Sequence, residues 1–336
     1  MASTRNRILT GIRPTGPLHL GHYIGALENW LRLQKEYECF FLIADYQALG
    51  DHIDEIDRIR ESVIQVTIDW LSVGLDPNDN AFVVQSYIPE FSELTMLLSM
   101  LTPLPWLERN PTLKAERDRL EEESATSISV GFFNYPVSQV ADILLPKAHL
   151  VPVGEDQLPH IELTREIARK FNRTYGEVFP EPQALIGRVP RLVGTDGKAK
   201  MSKSIGNAIY LGDGAEEVTR RVRGMYTDPT RLRATDPGHV EGNPVFMYHD
   251  AFNPNKPEVQ DLKDRYVNGK VGDVECKQKL AKALNDFLEP VREKRRDYEQ
   301  HLDDVKGALL DGTRRAKKAA EQTMQEVREA MRIIYT

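Results

Sequence analysis

The sequence predicts an α/β protein: a parallel sheet with helices on both faces over residues 1–207, followed by an all-helical region over residues 208–336. Three observations predict it. Short apolar runs alternate with stretches of helical period through the first half. A glycine-rich turn joins the first apolar run to the first helical stretch. Strand candidates almost vanish after residue 207.

Ile8-Leu9-Thr10 opens the pattern and runs into Gly11-Ile12-Arg13-Pro14-Thr15-Gly16. Pro17-Leu18-His19-Leu20-Gly21-His22-Tyr23-Ile24-Gly25 follows, with apolar positions at Ile24, Leu27, Leu31 and Tyr37 at helix spacing. Strand, tight turn and helix start in this order make an anion site, because free backbone N–H groups and the positive helix end face one point. Gly21 lets a phosphate or ribose approach closely. Two imidazoles three residues apart share a helix face and can both donate to phosphate oxygens. Two ordinary histidines beside a strand–helix turn fit the same residues, so this stretch alone leaves both readings open.

Glu38 to Asp45 reads as a buried strand, residues 55–71 as a helix through Ile56, Ile59, Val63, Val66 and Trp70, and residues 81–85 as the next strand. Gly74-Leu75-Asp76-Pro77 ends the helix between them. Leu94, Met96, Leu97, Leu98, Met100 and Leu101 form an apolar patch, either a core helix or a face that meets a second subunit. Residues 114–124 are highly charged and read as a mobile, solvated connection. Residues 137–145 are helical and almost wholly apolar apart from Asp142, which must cap, pair or bind something if buried. Tyr135, Gln139 and Asp142 have the spacing to point one way. Leu150-Val151-Pro152-Val153 is a strand running into Gly154-Glu155-Asp156-Gln157, a second polar turn opening a helix. In that helix Ile161, Ile167, Ala168 and Phe171 face inward, and His160, Glu162 and Arg165 read as a solvated or ion-paired face. The last segment carries Ala316, Ala320, Met324, Val327 and Met331 along one helix stripe that packs on something.

The net charge is −7, so no global basic field draws in a nucleic acid. Residues 207–336 hold 23 basic and 23 acidic side chains, so the excess lies wholly before them. Cys39 and Cys276 are the only cysteines and neither has a metal-ligand neighbour, which predicts no structural zinc, iron–sulfur cluster or disulfide framework. No leader and no run of membrane-spanning length is present, so a soluble protein of the reducing cytosol, without a membrane partner, is expected.

A second motif changes the weight of the first. Lys200-Met201-Ser202-Lys203-Ser204 lies in a loop flanked by glycines, and this pentapeptide arises by chance in a chain this long about once in ten thousand sequences. With His19-Leu20-Gly21-His22 as a HIGH motif and residues 200–204 as a KMSKS loop, the chain resembles the class I aminoacyl-tRNA synthetases. Leu150 to Gln157, continuing through His160-Ile161-Glu162-Leu163-Thr164-Arg165, is most similar to the bacterial tryptophanyl-tRNA synthetase family. The resemblance runs in order through Gly11–Gly16, Tyr135-Pro136 and Ala141-Asp142-Ile143-Leu144, and is looser in the helical C-terminal part.

The resemblance implies a Rossmann-like sheet of the HUP nucleotide-binding type over residues 1–207, a subunit-interface insertion near 86–135, and a tRNA anticodon-binding helical domain over residues 208–336. It implies activation of L-tryptophan by ATP with Mg2+, transfer to tRNA(Trp), and a homodimer. His19, His22, Lys200, Ser202 and Lys203 would be the catalytic set. Arg13, Thr15, Gly21, Gly25, Gly154, Asp156 and Met201 would join His22 around ATP. Leu9, Gln47, Tyr135, Gln139, Asp142, Val151, Val153 and Gln157 would surround tryptophan, with Asp142 accepting the indole N–H. Gln139 stands where Met is common, Arg13 where Gln is, Leu9 where Phe is, Gln47 where His is, and Glu116 where a mobile ATP-binding Lys is expected. Rival readings are a tyrosyl-tRNA synthetase, a small nucleotidylyltransferase, and a synthetase-like binder without catalysis. Clusters at Arg220-Arg221-Arg223, Arg292-Lys294-Arg295-Arg296 and Arg314-Arg315-Lys317-Lys318 are the candidate RNA contacts.

Overall fold

A computed structural model describes residues 5–123, 128–186, 192–198, 201–202, 205–231, 233 and 235–335. Strands β1 (Arg7–Ile12), β2 (Glu38–Ile43), β3 (Ala81–Val84), β4 (Leu150–Val153) and β5 (Gln183–Ile186) form a parallel sheet in the order β3-β2-β1-β4-β5. Side chains alternate strictly between its faces. Ile8, Cys39, Phe41, Phe82 and Val84 enter one core, and Leu9, Phe40, Leu42, Ala81 and Val83 enter the other. Both faces are therefore buried, which is why β2 reads as an unbroken apolar run. The strand order reverses at β1, between β2 and β4, and in open sheets of this kind the crevice outside such a reversal is where ligands sit.

Between β1 and β2 lie α1 (Leu20–His22), a wider π-type turn over Tyr23–Leu27, and α2 (Glu28–Leu33). Helices α3 (Asp45–Asp51) and α4 (Ile56–Val73) precede β3. Gly74 ends α4 at φ +105°, a left-handed geometry that glycine adopts without a Cβ penalty. Helices α5 (Glu90–Leu101), α6 (Leu104–Glu108), α7 (Pro111–Glu123) and α8 (Val130–Leu144) precede β4, and α9 (Leu158–Tyr175) links β4 to β5. The helical region holds α10 (Ala215–Arg223), α11 (Pro244–Phe252), α12 (Lys256–Val267), α13 (Asp273–Gln300) and α14 (Leu302–Ala330).

Two readings of the sequence need correction here. The charged stretch at 114–124 is not a mobile connection: residues 111–123 are α7, anchored by the buried Leu113. Its low hydrophobic content hid it, because a helix packed through so few apolar positions leaves almost no stripe. Ile56 is exposed at the start of α4, whereas Ile59, Val66 and Trp70 are buried as expected. Helix α3 and strand β5 were not legible. On α5, Leu94 and Leu98 are core while Met96 and Met100, one turn apart, are exposed, so the core-helix reading holds for part of the patch.

The change of element type after residue 207 is no gap in packing. Helix α14 lies along the edge strand β3: Thr313 Oγ1 accepts from the Val84 N–H at 3.1 Å, and Ala316, Ala320, Met324 and Val327 fill the core beside it. The helix thus covers a row of edge groups that would otherwise be open to pairing with another chain. Arg328 and Glu93 tie α14 to α5 at 2.8 Å.

The three basic clusters, candidate RNA contacts or solvated helix faces by sequence, are divided by this packing, because several of their arginines are engaged inside the fold. Arg221 donates to the carbonyls of Ala208 (2.7 Å) and Gly206 (3.3 Å). Arg292 is buried and bonds Asp213 and Asn285 carbonyls, and Arg295 is buried against α4. Arg315 donates to the carbonyls of Pro77, Asn78 and Asn80 ahead of β3. Arg220, Arg223, Lys294, Arg296, Arg314 and Lys318 remain exposed.

A Cβ on Gly312 would sit 2.4 Å from the Phe82 carbonyl oxygen and 2.5 Å from its nitrogen, atoms that the sheet holds in place. Gly312→Ala is expected to lower stability by about 1–3 kcal/mol through overpacking, although alanine is the better helix former. Urea unfolding of the purified variant measures this, and an unchanged midpoint would show that α14 is free to lift from β3.

Candidate active site

The first motif is held by strand-like pairing with the far side of the lysine-bearing loop. Leu20 N–H donates to Ile209 O and Leu211 N–H to Leu18 O, both at 2.9 Å, with His19 opposite Tyr210. Asn207 closes the base of that loop: its side chain accepts from Ser202 N–H (2.8 Å) and donates to Asp196 (3.1 Å), and its carbonyl accepts from Thr195 N–H (2.9 Å). Met201 Sδ lies 3.4 Å from the Gly21 nitrogen. The pairing therefore brings His19, Gly21, His22, Met201 and Ser202 to one end of the β1–α1 turn. Lys200 and Lys203 lie outside the described residues.

The two histidine rings are 3.8 Å apart between centroids. His22 Nδ1 accepts from the His19 backbone N–H at 3.1 Å, so the His22 proton belongs on Nε2, through which the ring donates. A Cβ at Gly21 would meet the His19 ring at 2.9 Å, so glycine leaves the space that this ring occupies over the turn. At Gly25 a Cβ would meet nothing within 4 Å; the space above it is open. Thr15 keeps its backbone in the turn, where its carbonyl accepts from Arg58 at 2.9 Å.

Next to this turn, at the carboxyl ends of β1 and β4, is a cavity of about 410 Å³. Leu9 and Arg13 enter from β1 and its turn, Gly25 from the π-type turn, and Val151, Val153 and Gly154 from β4. Gln47 comes from α3, Tyr135, Gln139 and Asp142 from α8, and Gln157 follows the β4 turn. Asp156 lies beside it and accepts from Gln157 Nε2 at 3.1 Å. A Cβ on Gly154 would come within 2.7 Å of the Asp156 carboxylate. Glu116 also lines the cavity, from α7. Residues far apart in sequence thus meet at the reversal of strand order.

Asp142 is the dominant polar group. It is 2% exposed, and its oxygens accept from Gln85 Nε2 at 2.6 Å and Gln47 Nε2 at 2.5 Å. Burial pushes its carboxyl up to about 8; the Gln85 amide opposes that shift and the Asp45 charge adds to it. Two neutral amides orient the carboxyl group and bring it no positive charge.

Two residues of the site escaped the sequence reading. Gln85, fully buried after β3, carried no motif. His160 was read as part of a solvated face, and it is 1% exposed. Its Nε2 is 3.3 Å from the Tyr135 hydroxyl and its Nδ1 is 3.5 Å from Asn110 Nδ2. Burial holds it down at about 4, hence neutral. The signal was available: His160, Thr164, Ile167 and Phe171 are all buried, at spacings of one helical stripe. Glu162 and Arg165 do form the expected exposed ion pair, at 2.8 Å.

Because the folded value of Asp142 lies above the ordinary carboxylate value of about 4, the folded chain binds the extra proton between the two. Its contribution to stability is complete below about pH 4 and is lost as pH rises through about 8. Asp142→Asn is expected to flatten the fall in stability between about pH 4 and 8, read as an unfolding midpoint of the variant that rises relative to wild type as pH increases. A constant difference would place Asp142 ionised throughout.

The model of the class I tRNA synthetases for tryptophan and tyrosine (W and Y) matches residues 1–289. A tryptophan–tRNA ligase of Treponema pallidum is 51% identical over 97% of this chain and 96% of its own. That of Thermotoga maritima is 44% identical over 98% of this chain and 100% of its own. The crystal structure of the Campylobacter jejuni tryptophanyl-tRNA synthetase with ADP and tryptophan superposes with a TM-score of 0.86 at 34% identity, covering 97% of this chain and 99% of that one. On the matched residues, the near-complete coverage and the fold, this chain belongs to the tryptophanyl-tRNA synthetases of class I.

Proposed function

We propose that the chain activates L-tryptophan with Mg-ATP and transfers it to the 3′ end of tRNA(Trp). The observation that carries this reading is the buried Asp142 carboxyl group at the cavity wall, whose oxygens, oriented by Gln85 and Gln47, are placed to accept an indole N–H. The tryptophan carboxylate attacks the α-phosphorus, the bond to the β-phosphate oxygen breaks, and pyrophosphate leaves. A ribose hydroxyl of the tRNA then attacks the adenylate carbonyl and AMP departs. Neither step needs an enzyme nucleophile, so catalysis consists of positioning and of matching developing charge. His19 and His22 donate to phosphoryl oxygens; Lys200, Ser202 and Lys203 hold the departing pyrophosphate. Arg13, Thr15, Gly21, Gly25, Gly154, Asp156 and Met201 surround ATP. Leu9, Gln139, Val151 and Val153 enclose the indole, while Tyr135 and Gln157 hold the amino group; Gln47, which the resemblance sets beside the substrate carboxylate, donates instead to Asp142 at the indole end. The neutral His160 behind Tyr135 supports that hydroxyl without adding a charge that would repel the ammonium.

The exposed Met96, Met100 and Leu104 support a homodimer through α5 and α6. Among the described residues no helix is long and apolar enough to cross a membrane, and no group of three His, Cys, Asp or Glu side chains is set to hold a metal. The magnesium of this reading arrives with ATP, and the setting is the cytosol, where ATP and tRNA occur together. Residues 1–207 make up the catalytic domain of this proposal, and residues 208–336 carry the anticodon end of the tRNA.

ATP–pyrophosphate exchange across the amino acids tests the reading. Exchange is expected with tryptophan and only weakly with tyrosine or phenylalanine, since a site built to bond one N–H rejects ligands lacking it by about 10⁴-fold. Asp142→Ala is expected to lose selectivity along with rate. Equal exchange with tyrosine would assign the site to the other branch of the family.

For tRNA, the exposed members of the basic clusters are the ones to change. Neutralising Arg223, Lys294 and Arg296 together is expected to raise the KM for tRNA and make its salt dependence shallower, with tryptophan-dependent exchange unchanged. Charging kinetics at two salt concentrations read this out. An unaltered salt slope would move the RNA surface elsewhere.

A further inference from the structure

Asp69 on α4 is completely buried, and one of its oxygens accepts from the Leu18 backbone N–H at 2.9 Å. Leu18 is the residue before His19. The other oxygen pairs with Arg295 on α13, itself buried, whose guanidinium also donates to Gln65 at 2.7 Å and Glu299 at 3.0 Å. Arg295 also lies beside the other half of the pairing of residues 18–20 with 209–211, the strap that joins the two motifs. A Cβ on Gly212 would meet its Nε at 2.9 Å, and Gly212 directly follows Leu211, the partner of Leu18. One guanidinium therefore backs both strands of the pairing that joins the His19–His22 turn to the exit of the lysine-bearing loop.

A fully buried aspartate is costly unless it is paired and hydrogen-bonded, and here Arg295 and the Leu18 amide occupy both of its oxygens. A charged acceptor holds an N–H more tightly than a neutral one. The Leu18 amide is thereby fixed, and with it the backbone that sets where the two imidazoles point. Errors of about 1 Å in such placement cost about a hundredfold in rate.

We propose that Arg295, acting through Asp69, is a positioning residue for the phosphate-handling turn, so that the helical region helps to assemble the activation site. The inference rests on the reading of residues 18–25 as the ATP side of the site. It also separates ATP chemistry from tryptophan binding: the Asp69–Arg295 pair contacts the strap, and neither residue lines the cavity that contains Asp142.

The test compares Arg295→Met, the charge-free pair Asp69→Asn/Arg295→Met, and Arg295→Lys. Each is measured for the single-turnover rate of tryptophan activation, the tryptophan Kd without ATP, and hydrogen–deuterium exchange of peptides spanning 18–22 and 139–143. Expected are a tenfold or greater fall in activation rate for the first two, a tryptophan Kd within twofold of wild type, faster amide exchange at 18–22 alone, and partial recovery in Arg295→Lys. If Arg295→Met does not fold, the double variant, which leaves no unpaired buried charge, decides. Wild-type activation with unchanged exchange at 18–22 would overturn the proposal. So would a parallel loss of tryptophan affinity with faster exchange at 139–143, because the pair would then serve the fold as a whole. Absence of tryptophan-dependent activation in the wild type would instead count against the functional reading, and amide exchange at 18–22 would still decide the positioning role.

Discussion

The structure depends on one closure, the pairing of residues 18–20 with residues 209–211. It joins two chain segments separated by almost the entire α/β half, and both functional motifs lie at its ends. Closing a loop of that length costs on the order of 5 kcal/mol in chain entropy. Its two backbone hydrogen bonds return about 1 kcal/mol each, which is too little. Leu18, Leu20, Ile209 and Leu211 are all fully buried, at about 1.5–3 kcal/mol apiece, and they decide the balance. The motif is thus an apolar strap whose polar residues, His19 and Tyr210 among them, alternate with its anchors. Chemistry and packing share the same few residues because the strap alternates like any β-strand.

Two buried aspartates show how the fold treats charge differently by purpose. Asp69 is given an arginine and a backbone N–H, and it serves the strap. Asp142 is given two neutral amides, so burial keeps its carboxyl high, at about 8. A carboxyl group left short of positive charge has more to gain from a donor brought by a ligand than one already paired. Gln47 and Gln85 fix its direction and leave that shortage in place. The same logic applies to His160, whose burial keeps it uncharged beside Tyr135.

Much of this was legible in the sequence. Strands β1 to β4 were readable because each is a short apolar run bounded by turn residues, and α4 because its stripe and the Gly74 stop are both clear. The cavity residues were legible only through resemblance, since Tyr135, Gln139 and Asp142 share a helix face but nothing local says that Gln47 and Val151 face them. Helix α7 failed for want of an apolar stripe. Strand β5 failed because Gln183–Ile186 is an edge strand, so its core-facing pattern is short and weak. Gln85 was out of reach: a lone amide after a strand signals nothing until the strand order places it over Asp142.

The arginines carry the most general lesson, because their misreading was avoidable. Counting neighbours along the chain put Arg292, Lys294, Arg295 and Arg296 in a single basic cluster. Counting by helical turns separates them. Leu284, Leu288, Val291 and Arg295 lie at intervals of four, three and four, and all four are buried, so Arg295 continues an apolar stripe and Lys294 and Arg296 flank it outside. An arginine at a core position demands an acid at a core position opposite, and α4 has one in Asp69, between the buried Ile68 and Trp70. Opposite charges on the buried stripes of two helices are a contact prediction that composition and motif searches do not make. Here that contact reaches the strap, and the helical region becomes part of the active-site architecture through a residue that looked, by its neighbours, like a surface charge.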